Sequence, residues 1–340
     1  MQTSNRHLCV SAVLAIAGLG LINFAYGRYA KSHFVPNITL QAAEAAGSHC
    51  LVTLGDSRMA AGISAPALTA ALRVQGVETC VAPLAIGALP ISGQAMALRH
   101  LMRDGRAPRW VVLGASAGTL VAQDSPDPSA LFGNRAAELA WSDASDISRY
   151  YPRFPFADLD RGVRFWFARS NALTTYASAM WIKTQALQDR LVGNRPDTQR
   201  NRFGSLHDMQ ALLGSFREQA MQALAVPNGD YRLSTWFEMV QSLVHDSRAH
   251  LIVVEVPMPA SYRRDVLDST LGRNYRRWLE GELARSGDTF VDISAPRSVE
   301  DANFADGIHL DTSGALAFSS ELGGKLAPLL ESAKPLERSP

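Results

Sequence analysis

Short apolar runs rich in β-branched residues alternate with amphipathic stretches from about residue 49 to residue 330. The runs have the length and bounding residues of buried strands, and the stretches between them have helical spacing. This alternation is typical of a parallel sheet covered by helices on both faces, so we expect a three-layer, flavodoxin-like α/β fold. The predicted strands are at residues 50–54, 77–82, 109–114, 251–256 and 289–293, and helices are predicted at 65–74, 92–103 and 312–330.

A long stretch without a strand pattern separates the third and fourth predicted strands. It runs from about residue 120 to residue 245, far longer than an ordinary crossover, and we expect it to be a helical insertion. Residues 150–181 combine nine aromatic side chains with several arginines. They could form an ordinary insertion core, a sugar-stacking surface, a segment lying on a membrane or, as the least favoured alternative, a nucleic-acid stacking surface. We expect accessible rings for at least three of Tyr150, Tyr151, Phe154, Phe156, Trp166 and Trp181.

The N-terminal part of the chain contains one long apolar run, Leu8 to Tyr26, interrupted only by Ser11 and Asn23. As a helix it would be about 28 Å long, close to the roughly 30 Å hydrocarbon core of a bilayer. The run is longer than the apolar region of a cleaved signal peptide, and a poor cleavage site follows it. We therefore expect a single-pass anchor at residues 1–30 and a linker at 31–48, with a cleaved signal as the alternative. The tail at 335–340 is expected to lie outside the α/β domain, which spans 49–334.

Composition narrows the function classes. The 340 residues include 33 Lys+Arg and 32 Asp+Glu, a net charge of +1, and 47% are hydrophobic, enough for a buried core. A balance this close to zero argues against a general nucleic-acid-binding protein. Three cysteines without a CxxC pair or a Cys/His cluster argue against a zinc module. We expect neither a metal nor another cofactor.

Two short motifs carry the candidate chemistry. Ser57 follows the first predicted strand, at the carboxyl edge of the sheet where α/β proteins place their sites. Asp306 and His309 lie in a loop before the last predicted helix. A serine nucleophile needs a base, usually histidine, that a carboxylate orients. A carboxylate three residues before a histidine can reach Nδ1 and leave Nε2 for the serine, so the two motifs together predict an acyl-serine site.

These motifs resemble the first and last conserved blocks of the SGNH (GDSL-type) hydrolase superfamily. The resemblance covers most of residues 49–330, apart from the insertion. It implies that Ser57 is the nucleophile, that His309 is the general base and that Asp306 is the carboxylate that orients it. The backbone N–H of Ser57 would also form part of an oxyanion hole.

The other two blocks match less well. In the second block, the resemblance assigns an oxyanion-hole role to Gly87, with Gly93 as the next candidate. The third block is Gly-x-Asn-Asp in the family and Gly114-Ala115-Ser116-Ala117 here, so Ser116 stands in place of the asparagine donor. Loss of one oxyanion donor can lower a rate by about 10²–10³, which implies either another donor or a slow enzyme.

Arg58 follows the nucleophile where the family motif has leucine. Together with Asp56 it could contact substrate, for example an anionic sugar or an acyl donor. The alternative is that Arg58 is a structural ion-pair partner. Arg58, the altered third block and the N-terminal run look like the membrane-anchored, extracytoplasmic SGNH-like proteins of bacterial polysaccharide O-acetylation, as in the alginate system.

That resemblance implies a protein of the bacterial inner membrane with its catalytic domain in the periplasm. The expected reaction is O-acyl transfer, in the first place O-acetyl transfer, to or from an envelope or exopolysaccharide sugar. The expected partners are an acyl donor, a polysaccharide acceptor and a membrane-bound O-acyltransferase. The alternative is a catalytically weak or inactive scaffold subunit of a polysaccharide modification or export complex. In a periplasmic location a Cys50–Cys80 disulfide becomes possible between neighbouring strands, the alternative being two buried thiols.

Overall fold

The computed structural model describes residues 2–33, 35–87, 89–103, 107–122 and 209–332. The prediction for the aromatic side chains of residues 150–181 lies outside the described residues, as does most of the expected insertion. The chain divides into two compact units. One comprises Met1–Ile38 and Asp127–Pro196, and the other comprises Thr39–Pro126 and Asp197–Pro340.

In the first unit, the described element is helix α1, Gln2–His33. Several of its apolar side chains are more than half exposed, among them Leu14, Ile16 and Phe24. Within the described part of the chain, no helix combines the length and the apolar character needed to cross a membrane. The anchor expected at residues 1–30 therefore stays a prediction.

The second unit is built on five parallel strands in the order β2-β1-β3-β4-β5. The strands are β1 Leu51–Leu54, β2 Val81–Pro83, β3 Trp110–Ala115, β4 His250–Glu255 and β5 Thr289–Asp292. This is the order of a flavodoxin-like sheet, so the predicted α/β class is confirmed.

Strand β2 is shorter than predicted. Residues 77–80 form a loop instead, because the Val77 N–H bonds back to the Leu72 carbonyl and the Thr79 N–H bonds to the Val77 carbonyl. The Thr79 hydroxyl donates to the His49 carbonyl. These bonds occupy groups that a longer parallel ladder with β1 would need.

Helices precede, connect and follow the strands along the chain. Those before the insertion are α2 Val35–Ala46, α3 Ser57–Gly62, α4 Ala65–Val74 and α5 Ile91–Met102. Those after it are α6 Met209–Leu224, α7 Thr235–Asp246, α8 Thr270–Ser286 and α9 Thr312–Ser332. Shorter turns are at Pro227–Gly229, Ala260–Tyr262, Arg263–Leu267 and Asp301–Asn303.

Alternate strand residues face different helices. Leu51, Val112 and Ile252 belong to a core cluster with Leu68 of α4 and Phe318 of α9. Helices α5 and α7 pack against each other, and α7 also contacts β4. Strands β1 and β3 are buried along their whole length, as expected for parallel strands that are covered on both faces.

Two expected boundaries differ from the structure. The stretch 31–48, expected as a linker, contains α2, whose Leu40 and Ala43 are buried. The expected insertion end at residue 245 falls inside α7, which buries Phe237 and Val240 and serves as the crossover helix into β4. The absence of a strand pattern between β3 and β4 predicts an insertion over this whole stretch, and it does not separate α7 from the rest.

Cys50 and Cys80 form a disulfide, with their Cα atoms 4.5 Å apart. Each cysteine directly precedes a strand, and the next residues, Leu51 and Val81, are paired in the parallel ladder. The strand register therefore brings the two cysteines together.

Candidate active site

The nucleophile candidate, Ser57, begins helix α3 after a very tight turn from strand β1. A Cβ on Gly55 would lie 2.5 Å from the Met59 Cβ and 3.4 Å from the Gly114 carbonyl oxygen. Only glycine fits this close approach between α3 and β3. The turn thus fixes Ser57 at the carboxyl edge of the central strands.

The partner loop is folded just before helix α9. The Ala305 N–H bonds to the His309 carbonyl at 2.8 Å, and Phe304 and Leu310 form an antiparallel bridge. Gly307, at the top of this loop, has a φ of 79°, a left-handed conformation that suits glycine. The loop turns the Asp306 and His309 side chains toward each other.

The structure brings Ser57, His309 and Asp306 into one hydrogen-bonded chain. His309 Nε2 lies 2.8 Å from Ser57 Oγ, and His309 Nδ1 lies 2.6 Å from Asp306 Oδ2. An ionised carboxylate only accepts hydrogen bonds, so Nδ1 carries the proton and Nε2 is free to accept the Ser57 hydroxyl. This is the tautomer that a general base for serine requires.

The Asp306 carboxylate is held by the backbone as well as by the imidazole. Its Oδ1 accepts the His309 N–H at 2.9 Å and the Ile308 N–H at 3.3 Å. Asp306 and His309 are both buried. Fixed acceptor geometry and exclusion of water strengthen the charge-assisted bond to the ring.

The segment after strand β2 runs beside the β1–α3 turn. Beyond strand β2, the Leu84 N–H bonds to the Thr53 carbonyl at 2.8 Å and the Ile86 N–H bonds to the Gly55 carbonyl at 3.0 Å. Gly87 directly follows Ile86, which is hydrogen-bonded to Gly55, and Gly55 lies two residues before Ser57. Gly93, the other candidate for the oxyanion hole, is a buried residue within helix α5.

Ser116 is already engaged by a neighbour that sequence reasoning missed. The Thr119 Oγ1 accepts the Ser116 N–H at 2.9 Å and donates to the Ser116 carbonyl. The two hydroxyl oxygens also lie 2.9 Å apart, and either can be the donor. The Ser116 hydroxyl is therefore hydrogen-bonded to Thr119 in this structure. The i to i+3 Ser/Thr spacing was the available signal for this turn.

Asp56 and Arg58, expected to contact substrate, pair with each other. Arg58 Nε lies 3.2 Å from each Asp56 carboxylate oxygen, and its terminal Nη2 bonds to Oδ2. The Arg58 side chain is only 6% exposed. Burial alone would raise the pKa of Asp56, but the charge and hydrogen bonds of Arg58 outweigh it and hold that pKa below its usual value. This geometry fits the structural alternative for Arg58.

Two further residues around Arg58 were not foreseen. The Arg58 guanidinium carbon lies 5.3 Å from the centre of the Phe216 ring in α6. Tyr262, in the turn after β4, is buried, and its pKa is raised to about 12 by burial, with the Glu255 charge adding to the shift and Arg58 opposing it. Neither residue follows a recognisable motif, and only tertiary structure brings them to α3.

A buried acidic residue ends the neighbouring strand. Glu255 is the last residue of β4, and burial raises its pKa to about 7 even though Arg276 Nε lies 2.9 Å from Oε2. Arg276 also pairs with Asp292 at the end of β5, at 3.1 Å. A charged residue closing an otherwise apolar strand was the sequence signal for this cluster.

Other candidate sites lie away from the triad. Among the described residues, one group of three potential metal ligands is close enough to share an ion, His49, Cys50 and Cys80, within 4.8 Å of one another. It precedes the strands, at the opposite edge of the sheet from Ser57, and the disulfide occupies both sulfurs. A cavity of about 890 Å³ lies between α6 and residues 121–122, with Tyr231 and Arg232 in its wall.

Comparisons with known proteins give structural matches alone. No family model matches the chain. No curated protein matches it. Among solved structures, a lipase/acylhydrolase from Enterococcus faecalis aligns with a TM-score of 0.37 and 13% identity, over 83% of this chain and 96% of the other. A protein named as an acylhydrolase from Bacteroides fragilis aligns with a TM-score of 0.34 and 9% identity, over 83% and 88%.

Proposed function

We propose that this protein is an SGNH-type serine enzyme that forms an acyl-serine at Ser57 and transfers the acyl group to a sugar hydroxyl or to water. The observation that carries the proposal is the continuous chain from Ser57 Oγ through His309 to the buried Asp306 carboxylate. Geometry of this kind activates a serine that is otherwise a weak nucleophile.

The proposed first half-reaction consumes the acyl ester donor. Ser57 Oγ attacks the acyl carbonyl carbon while its proton passes to His309 Nε2. The tetrahedral intermediate then collapses, the bond to the donor's alkoxide oxygen breaks, and that oxygen takes the proton from His309. Asp306 stabilises the imidazolium in between and keeps the ring oriented.

In the second half-reaction an acceptor hydroxyl repeats these steps in reverse. His309 removes its proton, its oxygen attacks the acyl carbon, and Ser57 leaves with the proton returned from Nε2. Water as acceptor makes the protein an esterase, and a sugar hydroxyl makes it a transferase. The Thr119-bound hydroxyl of Ser116 supports a weak oxyanion hole, which would slow acylation and deacylation alike. The choice between sugar and water would then depend on acceptor binding and exclusion of water at the site.

We propose the envelope setting on the sequence alone. The apolar run at residues 8–26 and the motif departures support a single-pass protein of the bacterial inner membrane with a periplasmic domain. Its acceptor would be an envelope or exopolysaccharide sugar, its donor an acyl ester, preferentially acetyl, and its partner a membrane-bound O-acyltransferase. No nucleic acid enters this proposal.

The test is labelling of the full-length protein with a fluorophosphonate, which reacts with an activated serine. We expect labelling that is lost in Ser57→Ala and retained in Ser332→Ala, whose hydroxyl bonds to the Leu329 carbonyl at the end of α9. Labelling that persists in Ser57→Ala would refute the proposed nucleophile. Incubation with p-nitrophenyl acetate, with and without an oligosaccharide acceptor, then separates transfer from hydrolysis by the mass of the sugar product.

The second candidate is a non-catalytic scaffold subunit with the same fold. One observation favours it, namely that the third-block donor is missing and its substitute, Ser116, is bound to Thr119. Under this alternative the wild-type protein would not react with the fluorophosphonate at all. Its Ser57→Ala variant would still support polysaccharide acylation in cells.

A further inference from the structure

Arg58 engages both oxygens of the Asp56 carboxylate. Asp56 Oδ1 accepts the Arg58 backbone N–H at 2.9 Å, which makes Asp56 the N-cap of helix α3, and both oxygens receive side-chain N–H groups of Arg58. Paired, fork-shaped contacts between arginine and a carboxylate are strong and geometrically specific. The carboxylate of Asp56, which precedes Ser57, is therefore bonded to Arg58, which follows Ser57.

The pair is largely withdrawn from solvent. The side chain of Arg58 is 6% exposed and that of Asp56 is 21% exposed. The Phe216 ring covers the guanidinium from α6, and Tyr262 lies near it after β4. Charges in such surroundings interact more strongly than on the surface. Either charge without its partner would therefore act on the ionisation of neighbouring groups.

The neighbour that matters is His309. Asp56 is covalently linked to Ser57, whose Oγ lies 2.8 Å from His309 Nε2. The charge of His309 acts on Asp56, after burial and Arg58, in the direction that lowers the pKa of that carboxyl. Among the described residues, the charged or titratable groups linked to this ring include Asp306, bonded to Nδ1, and the Asp56–Arg58 pair of α3, with which Tyr262 interacts through Arg58.

We propose that Arg58 is a positioning residue that neutralises Asp56, so that His309 responds to Asp306 and not to a second carboxylate, the one that directly precedes Ser57 in the chain. This rests on the proposed function. An unpaired carboxylate there would favour the imidazolium. The base would then be protonated over more of the pH range in which it must accept a proton.

The proposal predicts opposite effects for the two partners. Asp56→Asn keeps an N-capping side chain but leaves a buried guanidinium that cannot lose its proton, which disfavours the imidazolium. The midpoint of the acid limb of the pH–reactivity profile should fall by about half a pH unit or more. Arg58→Met leaves the carboxylate unpaired, and the midpoint should rise by about as much. The double variant carries neither charge and should return to within about 0.2 pH unit of wild type.

The experiment measures the rate of fluorophosphonate labelling of full-length protein between pH 5 and pH 9. Thermal unfolding of each variant checks the fold. Arg58→Lys keeps the positive charge but cannot make the paired guanidinium contacts with Asp56, and its midpoint should stay near that of wild type. It serves as the matched control if Asp56→Asn does not fold. A purely structural role would lower the amplitude of every profile and leave the midpoints unchanged.

A second readout separates this inference from the proposed function. Full-length protein labelled with ¹³C-histidine gives the protonation midpoint of the His309 ring directly, its resonance being identified by its loss in His309→Gln. Opposite midpoint shifts in the two single variants support the role of Arg58, even if wild-type protein does not label with fluorophosphonate and the proposed function fails. Equal midpoints, or shifts of the same sign, overturn it even if Ser57 proves to be the nucleophile.

Discussion

His309 Nε2 lies 2.8 Å from Ser57 Oγ, although the two residues are 252 positions apart in the chain. Helix α9, which follows His309, holds them together by packing on α3 and α4. The hydroxyl of Ser319 in α9 accepts the Ser64 N–H at 2.8 Å and donates to the Gly62 carbonyl at 3.2 Å. The base is thereby tied to the same loop that ends the nucleophile's own helix.

This relationship predicts strong non-additivity between the two residues. Ser57→Ala and His309→Ala should each lower kcat/KM for a model ester by about 10³-fold or more, because each removes the same proton-transfer step. The double variant should be little worse than either single variant. Steady-state kinetics with p-nitrophenyl acetate measure all three, and multiplicative losses would mean that the residues do not act as a unit.

Asp306→Asn tests the third member of the chain. Its amide has one acceptor oxygen where the carboxylate uses two, so it can accept either from the ring or from the backbone N–H groups, and it no longer carries the charge that stabilises the imidazolium. Because nucleophile and base remain, activity should fall less than in Ser57→Ala, by about 10–100-fold less. The same assay gives the ratio. A loss as large as that of Ser57→Ala would point to a wrong ring tautomer or a collapsed loop, which the thermal unfolding curve would distinguish.

The contacts among Ser57, His309 and Asp306 could be expected from the sequence because their parts are local. Ser57 follows a buried strand, and the Asp306–His309 spacing is short enough to form within one loop, so both features are recognisable from neighbouring residues. The five strands of the sheet follow from the same kind of pattern.

The surroundings of the site could not be predicted in the same way. Arg58 could equally have faced substrate, because its partners Phe216 and Tyr262 come from distant segments. The role of α7 depends on which helix it packs against, and an amphipathic pattern is the same in an insertion and in a crossover. These features are decided by tertiary contacts, which local pattern does not encode.

Neighbouring glycines in α9 should respond in opposite ways to alanine. A Cβ on Gly323 would lie 2.5 Å from the Ala71 Cβ, where α9 crosses α4, so Gly323→Ala should destabilise the protein by about 1–3 kcal/mol. Gly324 is exposed with nothing within 4 Å, so Gly324→Ala should stabilise by about 0.5–1 kcal/mol through helix propensity. Denaturant unfolding measures both. Equal effects would contradict the close α4–α9 crossing.

Loss of the Cys50–Cys80 disulfide should destabilise the fold without removing the site. The bridge closes a loop of 30 residues, for which the chain-entropy relation gives about 3–4 kcal/mol. A dithiol reductant should therefore lower the unfolding midpoint of wild-type protein. It should leave the Cys50→Ser/Cys80→Ser double variant unchanged, and a reductant effect in that variant would assign the loss to another cause.

Glu255 should lower the stability of the protein as the pH rises from about 5 to about 7. Burial raises the pKa of Glu255 from 4.5 to about 7, so between those values the native state binds a proton that the unfolded state has already lost. The unfolded chain then binds fewer protons, and the free energy of unfolding decreases with pH, by at most about 1.4 kcal/mol per unit for one group.

Glu255→Gln, which is neutral at every pH, should flatten this part of the profile. Glu282→Gln is a suitable control, because that carboxylate forms an ion pair with the largely exposed Arg285 on the same α8 helix. Chemical unfolding of all three proteins at pH 5, 6, 7 and 8 gives the slopes. A wild-type slope that survives in Glu255→Gln would place the responsible proton elsewhere, and a slope of opposite sign would mean that the Arg276 ion pair outweighs burial.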